Sequence, residues 1–120
     1  MGLYLLSVHT TGDATREPMT AEQMQELGRK IGELEQEMTA ADALVYSGRL
    51  EGVESAAVIR VAGGETIVTD GPFAETKEHL GGFYIVEAAD RDGALTWAEK
   101  TSACIGQPIE VRPFVAARAA

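Results

Sequence analysis

An α+β fold of six strands and two helices is predicted by three features of this 120-residue sequence. Short runs rich in β-branched and aromatic residues recur between turn signals. Two longer segments instead repeat apolar residues every three or four positions. One of these follows the first strand and the other precedes the last, giving the order β-α-β-β-β-β-α-β.

"GLYLLSVH" (Gly2 to His9) reads as a strand, and "TTGDATREP" after it reads as a loop. Thr20 is placed to cap the first helix, with Gln23 as its capping-box partner and Met19 and Met24 at hydrophobic-staple spacing. Met24, Leu27, Ile31, Leu34 and Met38 then fall on one face, while Arg29, Glu33 and Glu37 lie on the other. This helix is expected to end near Asp42. "ALVYSGRL" reads as a second strand, and "SAAVIRV" and "ETIVT" as a hairpin around "AGG". "GFYIVEAA" is a further strand. Asp90 caps the second helix, in which Ala94, Leu95, Ala98 and Thr101 keep the helical period, and Gly106 and Pro108 end it. "PIEVRPFV" closes the chain as an edge strand that tolerates Pro113. The pattern predicts a ferredoxin-like βαββαβ sandwich with an extra hairpin strand, as one domain over residues 1–120.

Composition narrows the function classes. The apolar fraction of 45% supports a core, and the net charge of −9 disfavours nucleic acid. No apolar run reaches the length of a membrane span, and the first strand lacks a secretory leader pattern. A single cysteine, Cys104, forms no internal disulfide and fits a reducing compartment, so a soluble cytoplasmic domain is expected. Cys104 itself is read as a small apolar packing residue with no nucleophilic role.

The central strands pose a packing problem. Leu3 and Leu5 oppose Tyr4, Leu6 and Val8, and Phe83 and Ile85 oppose Tyr84, Val86 and Ala88, so both sheet faces are apolar. Two helices cover one face. The other is expected to meet a second copy, sheet to sheet, or else to line a ligand cavity within one chain.

"TDGPFAETKEHLGG", Thr69 to Gly82, concentrates Asp70, Glu75, Lys77, Glu78 and His79 in one connection. Asp-Gly-Pro is good turn chemistry, and Pro72 suits the first position of a short helical turn. The segment is therefore readable as scaffolding. The same charges on a loop over a sheet rim would also furnish a base, an acid and an anion-holding cation.

The run "VTDGPFAETKEHLGGFYIVEAAD" resembles the signature of DGPF-domain proteins, a branch of the YCII-related (YciI-like) family. The resemblance extends over "YLLSV", "MTAEQMQELGRKIGELEQEM", "SGRLEG", "ALTWAEK" and "IEVRPF". It implies a dimeric ferredoxin-like α+β barrel. It also implies kinship with a dehydrochlorinase of a chlorinated hydroxyhydroquinone that uses a proposed His–Asp pair, and with domains found beside extracytoplasmic-function sigma factors. Asp70 matches the signature aspartate, and Lys77 and Glu78 match its charged pair. The YciI-like histidine is missing, since "MTAEQM" stands at its place.

An enzyme reading assigns Asp70 as base or orienter, His9 or Glu78 as proton carrier and Lys77 as anion holder. Phe73, Tyr84 and Arg112 are the candidate ligand contacts. The alternative is a non-catalytic ligand-binding or regulatory homodimer. His9 and His79 lack metal-ligand spacing, so neither metal nor cofactor is expected.

Overall fold

The structure, a computed structural model, describes residues 1–11, 19–72 and 78–116. Its elements follow the predicted order: β1 (Gly2–Thr11), α1 (Ala21–Ala40), β2 (Leu44–Arg49), β3 (Ala57–Ala62), β4 (Glu65–Asp70), β5 (Glu78–Ala88), α2 (Arg91–Ile105) and β6 (Ile109–Pro113). A short 3-10 turn at Val53–Ser55 precedes β3. None of the described helices is long and apolar enough to cross a membrane.

Local chemistry sets the helix ends. The Thr20 side chain accepts from the Gln23 amide at 3.1 Å, and Gln23 Oε1 accepts from the Thr20 amide at 2.9 Å, completing a capping box. Asp90 accepts from the Gly93 amide at 2.9 Å at the start of α2, and Gly106 ends it in the left-handed region. On the solvent face of α1, Arg29 bridges Glu26 and Glu33, both at 2.5 Å. Lys100 pairs with Glu37 across the two helices and lies 5.1 Å from the Trp97 ring centroid. These pairs are exposed to solvent, and each contributes little to stability.

Four strands form an antiparallel sheet in the order β2-β5-β1-β6. That order and the two helices are compatible with a ferredoxin-like frame. The sequence suggests one extra hairpin strand, but the insertion is a complete two-stranded hairpin, β3–β4, forming a sheet of its own. Its turn places Gly63 and Gly64 at φ 58° and 80°, a pair of positive values that a two-residue hairpin needs and glycine supplies without a Cβ clash.

Strand alternation divides the main sheet into two faces. Tyr4, Leu6, Tyr84, Val86 and Val111 meet Leu34 and Met38 of α1 and Ala98 of α2, making the core. Leu6, Met38 and Val86 are fully buried. Leu5, Phe83, Ile85 and Tyr46 occupy the other side, since Leu5 pairs with Ile85 and Ile85 with Tyr46. No described element covers them: Leu5, Phe83 and Ile85 are only half-buried, and Tyr46 is exposed. The Tyr46 and Phe83 rings pack at a centroid distance of 5.9 Å, giving this bare side an aromatic centre.

Truncating the centre of the helix-side core tests this assignment. Leu6→Ala should cost about 2–5 kcal/mol, measured as a lowered urea midpoint at unchanged slope. A loss below about 1 kcal/mol would mean that Leu6 is not packed as described.

Candidate functional site

The apolar stripe of α1 does not stay on the sheet along its whole length. Leu34 and Met38 are buried, Leu27 and Ile31 are half-buried, and Met24 is 62% exposed. Toward its N-terminus the helix therefore overhangs the sheet, and the space beneath is a cleft of about 640 Å³. Met24, Leu27 and Ile31 form its roof, with Val8 and Gly82 among the sheet residues below. Gly82 suits this position, because a Cβ would make a tight contact 3.0 Å from the Gly48 carbonyl oxygen on the neighbouring strand. A pocket of this size with mainly apolar walls and few polar groups suits a small organic ligand.

Five polar side chains line the cleft: Thr10 from β1, Glu35 from α1, Ser47 and Arg49 from β2, and Tyr84 from β5. Ser47 Oγ donates to Glu35 Oε1 at 3.4 Å, a long bond that links helix and sheet. Among the described residues, no carboxylate lies within ion-pair distance of the Arg49 guanidinium. The Tyr84 ring is almost fully buried, yet its hydroxyl has no hydrogen-bond partner among the described residues. Since no buried side-chain oxygen is left both sealed and unpartnered, that hydroxyl opens into the cleft. Burial, reinforced by the Glu35 and Cys104 charges and partly opposed by Arg49, pushes its pKa up to about 12. It is thus a firm hydrogen-bond donor at neutral pH. Cys104, half-buried nearby, has its thiol pKa raised mainly by burial, which disfavours the reactive thiolate.

The candidate residues read from the sequence fall in several places. Tyr84 lines the cleft. His9 points to the bare side of the sheet, where its Nε2 lies 3.1 Å from Ser7 Oγ. Arg112 pairs with Leu5 and shares that side. Asp70 is the exposed last residue of β4, and its carboxylate has no hydrogen-bond partner among the described residues. Glu78 opens β5 and pairs with Thr11. The strand therefore begins inside the segment read as a loop, and Glu78 and His79 belong to it. Phe73, Glu75 and Lys77, with the helical turn expected after Pro72, lie outside the described residues. His9, Glu78, Asp70 and Arg112 are not part of the cleft wall. Among the described residues, no cluster of metal-ligating side chains is present.

Glu35, Ser47 and Arg49 carry polar chemistry that the sequence reading passed over. Glu35 had a legible signal, because it stands four residues after Ile31 on the apolar face of α1. Arg49 sits in "SGRL" with no comparable local mark.

The Tyr84 environment has a direct readout. In an alkaline absorbance titration, one of the three tyrosines should ionise only at about 12, and this step should vanish in Tyr84→Phe. Folding holds that proton more tightly than the unfolded chain does. The stabilisation is complete below about 10 and is lost as pH rises toward about 12. A Tyr84 ionisation step centred near 10, the ordinary phenol value, would place the hydroxyl in open water.

Residues 3–115 match the model of the YCII-related domain. An uncharacterized protein of Rhizobium meliloti (strain 1021) is 43% identical over 74 residues, covering 62% of this chain and 60% of that protein. Because the domain match takes in both helices and reaches all six strands, the chain belongs to the YCII-related family.

Proposed function

We propose that this chain is a small-molecule-binding homodimer whose ligand is a planar, amphipathic anion such as an aromatic carboxylate or a phenolate. The ligand lies in the cleft under α1. The observation that carries this reading is the pairing of apolar walls with an Arg49 guanidinium that has no carboxylate partner among the described residues. A flat apolar body would displace water from Met24, Leu27 and Ile31, and its anionic end would meet Arg49 with charge-assisted hydrogen bonds. Tyr84, holding its proton, donates to a ligand oxygen. Self-association is part of the proposal, because the bare sheet face needs a partner, and so is a cytoplasmic location.

The same groups support acid–base chemistry of the lyase kind, as in dehydrochlorination. Glu35 takes a proton from the ligand, Tyr84 and Arg49 stabilise the developing negative charge, and a halide leaves. The signature segment is linked to this centre only through strand connectivity. It re-enters the sheet at Glu78, whose partner Thr11 adjoins the cleft residue Thr10. Asp70 and Lys77 are its further candidate charges. One observation favours a second reading, a non-catalytic ligand-binding or regulatory dimer: no imidazole lines the cleft.

A panel of halogenated and hydroxylated aromatic acids and phenols separates these readings, with binding followed by calorimetry and turnover by chloride release. Arg49→Gln should weaken binding about 10–100-fold. Glu35→Gln should abolish turnover while leaving the ligand bound. Turnover lost in Asp70→Asn but retained in Glu35→Gln would move the centre to the signature loop. Binding without turnover in the wild type would establish the second reading. Equal affinity in wild type and Arg49→Gln would remove the cleft from the function.

A further inference from the structure

We propose that the β3–β4 hairpin is an arm that each protomer lays over a second copy of this chain, against the partner's bare sheet face. The proposal rests on the homodimer reading above and assigns the element that completes the interface. The hairpin register puts Ile59 opposite Val68 and Val61 opposite Thr66 on one face. Ile59, Val61 and Val68 are 64%, 70% and 60% exposed, so the apolar face of this ribbon is open along its length. An isolated two-stranded hairpin is only marginally stable in water and needs a surface to rest on.

The exposure of Ile59, Val61 and Val68 shows that no described part of the chain supplies that surface. The molecule measures 49 × 48 × 18 Å, a slab whose thickness accommodates a sheet and one helix layer. A hairpin that adds breadth in the plane of the slab, and does not fold back over the bare face, fits those dimensions. The radius of gyration is 17.0 Å, against about 13.6 Å for a compact chain of this length.

Surface area then identifies the occupant. The accessible surface is 9031 Å², whereas a compact monomer of this mass exposes about 6,300 Å². Half of that excess, contributed by each of two copies, already surpasses the roughly 1,600 Å² buried in a standard interface. A second copy supplies what the arm requires, an apolar sheet face of Leu3, Leu5, Phe83 and Ile85 that is also uncovered. Two-fold symmetry makes the arm-to-face contact twice and satisfies all four surfaces at once.

The test compares the full chain with a variant carrying Ile59→Thr, Val61→Thr and Val68→Thr, which keeps strand propensity and removes the apolar ribbon. Sedimentation should show a wild-type dimer and, in the variant, a dissociation constant raised roughly 100-fold or more with unchanged circular dichroism. Hydrogen exchange gives a second measurement on the unaltered chain: amides of residues 57–70 should slow as protein concentration rises through the dimerisation range. Wild type that stays monomeric at about 100 μM would overturn the homodimer and the arm together. A dimeric wild type whose triple variant associates equally tightly, or whose hairpin amides exchange at a rate independent of concentration, would overturn the arm alone.

Discussion

The central pair β1 and β5 sends apolar side chains to both sides of the sheet, and the chain owns only enough helix to shelter one of them. Leu6, Tyr84 and Val86 are satisfied by Leu34, Met38 and Ala98. Their sequence neighbours Leu5, Phe83 and Ile85 have no described element above them. A shift of one residue in the β1–β5 register would exchange the two sets, so the helices also fix which surface is left open. The side given to the helices becomes core and cleft. The side left bare presents an apolar surface.

The cleft follows from the same division. Because α1 is anchored only through its C-terminal turns, at Leu34 and Met38, its N-terminal half continues past the end of the packed region. A helix that stayed on the sheet throughout would bury Met24 and leave no cavity. Tyr84 serves both parts: its ring completes the core, and its hydroxyl reaches the cavity wall. That dual position explains why the phenol is desolvated without being fully enclosed by polar partners.

Much of the frame was legible because its signals are local. Thr20 with Gln23, Asp90 before α2, the Gly63-Gly64 pair and Gly106 each act within a few residues, and each is found in its expected role. The start of β5 was not legible, since Glu78 and His79 look like loop residues by charge. They become strand because β1 continues to Thr10 and Thr11 and offers them partners. The cleft was hidden for a related reason. Its existence depends on where α1 leaves the sheet, and no residue near Arg49 records that. Glu35 is the exception, since its place on an apolar face is itself a local anomaly.

The position of the hairpin insertion has an evolutionary consequence. It interrupts the chain between β2 and β5, two strands that already lie side by side, and the Leu50 amide donates to the Gly81 carbonyl where they rejoin. The described residues between Leu50 and the start of β5 at Glu78 lie outside the four-stranded sheet. Lengthening such an excursion costs only a slowly growing closure entropy and breaks no ladder of the four-stranded frame. Descendants of this fold can therefore remodel that excursion by insertion or deletion, acquiring new binding preferences while the founding scaffold keeps its register.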